Sequence, residues 1–183
     1  MVQYSYDKIR TQTFSLPTGS SFLLEENLFA QELPSKIIVC HVPTESYSGS
    51  YKRNPSNAPH CDVSSIALYI DGKCIPSTGP IRLDYKNDDC LEAYLNMYSQ
   101  NGIDLSDKDI YLSPNDVWWG YNYHVFSTTN ALGKDCQRIK KRANIRLETY
   151  FKAPLIEGFT CMVIGVIPDT FTIDQERNVR PSA

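Results

Sequence analysis

The histidines and cysteines are the side chains of this sequence best suited to nucleophilic or metal chemistry. Cys61 directly follows His60, so a thiol and a base stand side by side. Adjacent residues rarely direct both side chains to one point, which disfavours a catalytic pair. His41 and His124 lie in apolar, strand-like segments, where a hydrogen-bonded core or edge histidine is the simplest interpretation. The sequence has no Gly-x-Ser-x-Gly elbow for a serine nucleophile.

The spacing of cysteines and acidic residues gives little support for a metal or cofactor site. No two cysteines have the CxxC spacing of a zinc knuckle. The acidic segment 104–109 lacks the glycine that a calcium loop needs at its turn. No glycine-rich phosphate loop is present. Helix caps and solvated acids are the simpler interpretation, so we expect no catalytic residue, no cofactor and no metal.

One short segment is strongly basic. Arg138, Lys140, Lys141 and Arg142 place four cations within five residues, and we take them as a candidate basic patch. Such a run serves either as a nuclear-import or phosphate-contacting signal, or as a solubilising turn before the next strand. The residue types alone leave both interpretations open.

Two aromatic segments are candidates for contact with another molecule. Tyr51, Lys52 and Arg53 lie in a long segment rich in Pro, Ser and Asn, and they carry the side-chain chemistry that protein interfaces favour. Trp118 opens the aromatic run 118–123, which is suited to packing at a subunit boundary or to stacking on a sugar ring. A plain surface loop and a core strand are the competing interpretations. We take these four residues as candidate interface residues.

Composition places the chain among ordinary folded proteins. Its 183 residues are 42% hydrophobic and 21% charged, which suits one domain spanning residues 1–183. A net charge of −3 disfavours specific or wholesale nucleic-acid binding. No stretch approaches the roughly 18 apolar residues of a membrane span, and the first residues lack the apolar core of a signal peptide. We therefore expect a protein that is not secreted and that keeps free thiols.

Period-two alternation of apolar residues predicts most of the secondary structure. The clearest case is residues 143–152, where Ile145, Leu147, Thr149 and Phe151 point one way and the polar residues the other. Further strands are predicted at residues 9–16, 36–42, 62–71, 73–75, 81–85, 117–128, 159–167 and 171–173.

Two local signals complete the prediction of the fold. Residues 89–100 are predicted to form the one clear helix. Its core face would carry residues at positions i, i+3, i+4 and i+7, namely Leu91, Tyr94, Leu95 and Tyr98. Asp71-Gly72 tolerates positive φ angles and predicts a type I′ hairpin turn. About eight strands, one short helix and no strand–helix repeat predict an all-β fold in which two antiparallel sheets form a sandwich.

A series of motifs in a fixed order resembles one family of viral proteins. They are Arg10-Thr-Gln-Thr-Phe-Ser-Leu-Pro-Thr-Gly19, Glu26-Asn-Leu-Phe29, Gly49-Ser-Tyr-Lys-Arg-Asn-Pro55, Leu68-Tyr-Ile-Asp-Gly72, Gly120-Tyr121, Ile145-Arg-Leu-Glu148 and Ile173-Asp174. Together they are similar to the C-terminal half of hexon-like, double jelly-roll major capsid proteins of Polinton/Maverick elements and adintoviruses. They are also similar to related uncharacterised proteins of invertebrate genomes. The resemblance runs from about residue 8 to residue 180.

The resemblance implies a single jelly-roll domain that corresponds to the second jelly roll of such a capsid protein. It implies a non-catalytic virion protein that forms trimeric capsomers of an icosahedral shell, located in the capsid after assembly in the host cytoplasm or nucleus. The implied partners are copies of the chain itself and neighbouring capsid proteins. The alternative is a domesticated cellular jelly-roll module that binds a glycan or a protein. Because the first jelly roll is not in this sequence, we expect self-association.

Overall fold

The computed structural model describes residues 2–30, 32–87, 89–101, 111–128 and 142–181. The strands are β1 (Val2–Leu16), β2 (Phe22–Glu25), β3 (Lys36–Pro43), β4 (Val63–Ile70), β5 (Lys73–Ile75), β6 (Ile81–Arg82), β7 (His124–Ser127), β8 (Ile145–Phe151), β9 (Phe159–Ile173) and β10 (Val179–Pro181). The helices are α1 (Thr44–Tyr47), α2 (Leu91–Asn101) and α3 (Pro114–Gly120).

The strands form two antiparallel sheets packed face to face. The first sheet has the order β1-β9-β3-β7, and β10 also pairs with β9. The second has the order β2-β8-β4-β5, and β6 pairs with β4. The long strand pairs, such as β1 with β9 and β2 with β8, join segments distant in sequence, as in a jelly roll. The predicted all-β jelly-roll sandwich is therefore confirmed, with ten described strands rather than about eight.

The predicted alternation in β8 is confirmed. Ile145, Leu147, Thr149 and Phe151 are buried, and the residues between them reach solvent. The apolar members belong to the main core cluster, which joins β8 and β4 of one sheet to β3 and β9 of the other. Each large apolar side chain buried there contributes roughly 1.5–3 kcal/mol. Burial of one face of each sheet thus holds the sandwich together.

The predicted hairpin at Asp71-Gly72 is also confirmed. Asp71 has a φ of 48° and Gly72 a φ of 80°, the pair of positive values that a type I′ turn needs. The turn joins β4 to β5 and places Ile70 opposite Lys73. Here two adjacent residues determine the register of a strand pair.

The strand predicted at residues 117–128 is wrong over its first half, where α3 is found instead. Ser113 Oγ accepts a hydrogen bond from the Asp116 N–H at 3.3 Å, and the Asp116 carboxylate accepts one from the Ser113 N–H at 3.1 Å. Pro114 occupies the first turn, where its missing N–H costs nothing. This capping box starts a helix, and only β7 keeps the extended conformation.

The helix predicted at residues 89–100 is confirmed as α2, but its buried face differs from the predicted one. Met97 is buried and packs with Tyr94 against β7. Leu91 and Leu95, predicted to face the core, are both more than half exposed. The core lies on the side of α2 that α3 and β7 occupy, and the sequence pattern alone does not specify that side.

Two strands predicted at residues 159–167 and 171–173 form the single strand β9, which runs through Pro168. β3 pairs with β9 only as far as Val166, and β10 pairs with it from Phe171. At Pro168 the strand is therefore paired only with β1. A strand tolerates a proline where one of its edges is unpaired.

The first sheet extends beyond the second as a three-stranded arm. β1 and β9 pair along fifteen residues, from Leu16 opposite Phe159 to Val2 opposite Ile173. We define the arm as residues 2–7 of β1, residues 168–173 of β9 and β10. It leaves the end of the sandwich opposite to the loops that follow β3 and β8.

Candidate interaction surfaces

The long segment 44–62 packs at one end of the sandwich, where Arg53 holds it in place. Its Nη1 atom lies 2.9 Å from Glu157 Oε2, and its Nε atom lies 3.0 Å from Glu45 Oε2. The guanidinium therefore joins α1 to the loop between β8 and β9. Because these groups are partly exposed, each pair contributes at most about 1 kcal/mol. The structure places this predicted interface residue inside a loop-to-loop contact.

Tyr51 and Lys52, the two residues before Arg53, lie on the surface. The Tyr51 side chain is fully exposed and projects from the segment. Lys52 is exposed, and its backbone N–H donates to Ser50 Oγ at 3.3 Å. Both side chains are available for contact with another molecule, and their role at an interface stays a prediction.

Trp118 and Trp119 lie on different sides of helix α3. Trp118 is half-buried and packs between the main core and the smaller cluster around Met97. Trp119 is 72% exposed, and its ring meets that of His60 edge-on with centroids 5.6 Å apart. His60 in turn stacks on Tyr85 at 4.4 Å. The exposed tryptophan is thus the one that sequence reasoning passed over. The Ser-Pro-x-Asp motif at residues 113–116 is the sequence signal that predicts helix α3 and, with it, the exposed position of Trp119.

His60 and Cys61 are not arranged as a base and a nucleophile. His60 Nδ1 accepts a hydrogen bond from the Asp62 N–H at 3.0 Å. The Cys61 Sγ donates to the Pro59 carbonyl at 3.3 Å. Burial, reinforced by the charge of Glu157, raises the pKa of the Cys61 thiol far above its usual range. A thiol that stays protonated is a poor nucleophile.

The other two histidines lie inside the sandwich. Burial, with a smaller contribution from the nearby His124, lowers the pKa of His41 to about 3. Burial alone lowers the pKa of His124 to about 4. The His41 ring meets Phe151 edge-on at 5.6 Å. The predicted core location is correct, but the Nε2 atoms of both histidines lack hydrogen-bond partners among the described residues.

A small cavity and an open groove occur among the described residues. A cavity of about 10 Å³ beside His124 is lined by Tyr85, Cys90 and Asn122, among others. It is about the size of one water molecule. The larger concavity, of about 450 Å³, is an open groove between residues 10–12 of β1 and the turn at residues 27–30.

No group of three His, Cys, Asp or Glu side chains that could hold a metal ion occurs in the described ranges. No helix in those ranges is long and apolar enough to cross a membrane. The cysteines that the structure describes are all free thiols, and Cys40 and Cys161 are buried among apolar side chains, as predicted. Of the candidate basic patch, only Arg142 is described, and it is exposed just before β8. Arg138, Lys140 and Lys141 lie outside the described residues, as does the acidic segment 104–109.

The outer face of the second sheet carries an apolar surface. Phe22 of β2 lies directly opposite Tyr150 of β8, with ring centroids 6.3 Å apart. Leu24 follows on the same face, and all three side chains are at least 45% exposed. We call these three residues the lateral patch. Beside it, Arg146 pairs with Glu148 at 2.9 Å, which gives the patch a charged margin.

The arm carries a second exposed aromatic surface. Tyr4 stacks on Phe171 with centroids 5.3 Å apart. The Tyr6 hydroxyl donates to Asp169 at 3.2 Å. Val2, Tyr4 and Tyr6 share one face of β1 by alternation, and each is exposed.

The fold is a jelly-roll β-sandwich, and exposed apolar side chains are grouped on its lateral patch and on its arm. No protein-family model matches the chain. An uncharacterised protein of Caenorhabditis elegans is 24% identical over 189 residues, which cover 97% of this chain and 43% of that protein. The crystal structure of the mavirus major capsid protein matches 99% of this chain and 41% of that chain, with a TM-score of 0.58 and 12% identity.

The cryo-EM structure of the Sputnik virophage matches 99% of this chain and 38% of that chain, with a TM-score of 0.49 and 13% identity. The chain thus spans less than half the length of each of these proteins. The likeness to the mavirus protein shows the fold, and it agrees with the jelly roll predicted from the sequence.

Proposed function

We propose that this chain is a structural subunit of a viral or virus-derived shell. In this proposal it is the second jelly roll of a hexon-like major capsid protein of the Polinton type, and three copies form a capsomer. The observation that carries the proposal is the match of 99% of the chain to a viral major capsid protein. The subunit is non-catalytic, is located in the capsid and is assembled inside the host cell without secretion.

The surface chemistry supports a role in assembly. Contiguous exposed apolar side chains on a soluble domain mark contacts with other proteins. The lateral patch has an aromatic centre and a charged margin, which is the usual arrangement of an interface. An enzyme or a small-molecule receptor would instead carry a deep apolar pocket with convergent polar groups.

The predicted interface residues have distinct tasks in this proposal. Tyr51 and Lys52 project from the loop end and contact a neighbouring subunit. Arg53 holds their segment against Glu45 and Glu157, which limits the entropy lost on contact. Trp118 anchors α3 in the core so that the next residue is presented to solvent.

The proposal is tested by analytical ultracentrifugation and negative-stain imaging of the 183-residue chain. We expect a concentration-dependent trimer that appears as discrete rings. Leu24→Lys places a charge in the lateral patch and is expected to reduce the association constant at least about tenfold, because a charge would be desolvated at the contact. Ile156→Lys is the control, since Ile156 is exposed on a loop outside the patch. A wild-type chain that stays monomeric at every concentration contradicts the proposal.

The stacked set of Tyr85, His60 and Trp119 favours one alternative, a cellular module that binds a glycan or a protein. Exposed aromatic faces of this kind stack on sugar rings and occupy protein interfaces. The similarity to an uncharacterised nematode protein is compatible with such a role. A glycan array with the wild-type chain and with Trp119→Ala tests it. Binding that is lost in the variant, from a chain that does not self-associate, would favour this alternative.

A further inference from the structure

β1 presents an unusually long free edge. Among the described residues it pairs only with β9, along all fifteen of its positions. Most strands have about five or six residues, and an uncovered edge is a template for pairing with another strand. Near the middle of β1, a groove of about 450 Å³ lies between residues 10–12 and the turn at residues 27–30.

Residues 2–6 of β1 lack the features that usually protect an edge strand, and inward-pointing charges begin only at Lys8. Edge strands are commonly blunted by prolines, bulges or inward-pointing charges. Residues 2–7 contain no proline and pair with β9 in continuous register. Their inward-side residues are Val2, Tyr4 and Tyr6, and the cations Lys8 and Arg10 follow at the next two positions of that face. Aromatic residues and cations therefore follow each other along one side of the strand.

We propose that the arm is a contact between two copies of this chain, in which β1 pairs antiparallel with β1 of the second copy about a two-fold axis at Tyr6. The proposal rests on the proposed function and deepens it, because it names a surface through which neighbouring capsomers join. The paired arms form one six-stranded ribbon with a continuous aromatic face.

Charge complementarity selects the register. When a two-fold axis relates two antiparallel strands, the residue on the axis, or centre, lies opposite its own copy. A centre at Asp7 or Lys8 therefore brings like charges together. A centre at Ile9 opposes Lys8 to Arg10 of the other copy. A centre at Tyr6 avoids these pairs. It opposes Tyr6 to itself and Tyr4 to Lys8.

The same register also opposes Val2 to Arg10. The Tyr4–Lys8 pair has the composition of a cation–π contact and occurs twice by symmetry. Nine residues pair in each copy, from Val2 to Arg10, whereas a centre at Ser5 pairs only seven. Among centres that lie within the arm, the one at Tyr6 thus gives the longest pairing that avoids opposing like charges.

Cysteine cross-linking tests the register. Residues directly opposite in an antiparallel pair have Cα atoms about 4.5–5.5 Å apart, within the range that a disulfide spans. Tyr6→Cys is therefore expected to form a covalent dimer when a thiol oxidant is added. Thr13→Cys is the matched control, since Thr13 is exposed on the same strand but lies seven positions from the axis. Peptide mapping must place the bond between the two introduced cysteines.

A charge substitution tests the contact independently. Tyr6→Lys opposes two ammonium groups at the axis, and each also lies near Lys8. We expect the dimer to weaken at least about tenfold with an unchanged melting temperature, because the Tyr6 side chain is exposed. Leu91→Lys, at an exposed position of α2 outside the arm, is the control and should leave association unchanged.

The outcomes separate this inference from the proposed function. If the chain forms trimers but Tyr6→Cys cross-links no better than Thr13→Cys, the two-fold contact is wrong and the capsid proposal stands. If Tyr6→Lys retains trimers but loses larger assemblies, both are supported. If the wild-type chain stays monomeric throughout, both are overturned.

Discussion

His41 of β3 and His124 of β7 lie inside the sandwich on neighbouring strands, and neither Nε2 atom has a hydrogen-bond partner among the described residues. Burial opposes protonation of both rings, and the nearby His124 also opposes protonation of His41. Both are therefore neutral in the folded protein near pH 7. Because the folded state disfavours their protonation, acid lowers its stability.

The first prediction is that stability falls as the pH drops below about 6.5. The folded-state pKa values of about 3 and about 4 lie below the value of about 6.5 in the unfolded chain. The unfolded chain therefore binds more protons between these limits, and stability rises with pH there. Between pH 7.5 and pH 5.5 we expect a loss of roughly 2–3 kcal/mol for the two histidines, measured by urea unfolding.

Two variants separate this effect from other titrations. His124→Leu removes one buried imidazole and should halve the pH dependence. His41→Leu removes the other buried imidazole and should reduce the pH dependence by a similar amount. A wild-type stability that is flat from pH 7.5 to pH 5.5 contradicts the prediction.

The second prediction concerns Gly165 of β9, which lies beneath the turn after β2. A Cβ atom at this position would approach Phe29 Cζ and Pro34 Cγ to 2.9 Å each. Phe29 is buried and has a positive φ of 52°, so it has little freedom to move away. We expect Gly165→Ala to destabilise the protein by about 1–3 kcal/mol in urea unfolding.

Gly158 provides the matched control for that substitution. A Cβ atom there meets its nearest neighbour, Thr44 Oγ1, at 3.6 Å, which is ordinary contact. Gly158→Ala should be neutral or slightly stabilising, because alanine restricts the unfolded chain. Equal effects of the two substitutions would contradict the proposed crowding at Gly165.

The third prediction separates the two consecutive tryptophans. Trp118→Ala should cost roughly 2 kcal/mol of stability, about half the value for a fully buried tryptophan, because the ring packs between two core clusters. Trp119→Ala should change stability by less than about 0.5 kcal/mol, since its ring is mainly in solvent. Thermal unfolding of the two variants makes the comparison. A larger loss in Trp119→Ala would contradict the helical assignment of this segment.

The fourth prediction concerns the ion pairs of Arg53. Arg53→Gln should lower global stability by less than about 1 kcal/mol, because the pairs are partly exposed. It should nevertheless loosen segment 44–62 and speed chymotrypsin cleavage after Tyr51, because local opening costs less than global unfolding. Lys52→Gln is the control and should keep the wild-type cleavage rate. Identical rates in both variants would show that Arg53 does not hold the segment.

Local signals in the sequence predict several elements correctly. The alternation of Ile145, Leu147, Thr149 and Phe151 identifies the inner face of β8, because one face of a strand must be apolar when it covers a core. Asp71-Gly72 identifies its hairpin, because few residue pairs accept two positive φ angles. In both cases neighbouring residues contain all the relevant information.

The candidate contact residues could be located only in part. Their residue types indicate the chemistry of an interface, but exposure depends on the element that carries them. In a strand, Trp118 and Trp119 would point to opposite faces, whereas helix α3 places one in the core and the other beside His60. The lateral patch was missed, because nothing near Phe22 shows that β2 lies at the edge of its sheet.

The sequence by itself determined the all-β class, the inner faces of the long strands and the tight turns, since these follow from side-chain period and backbone preference. Only the tertiary structure decided that β9 continues through Pro168, that β1 presents an open edge and that His41 and His124 share one interior. The physical reason is that strand pairing joins residues more than a hundred positions apart. An apolar side chain on a strand is therefore buried only where the other sheet packs over it.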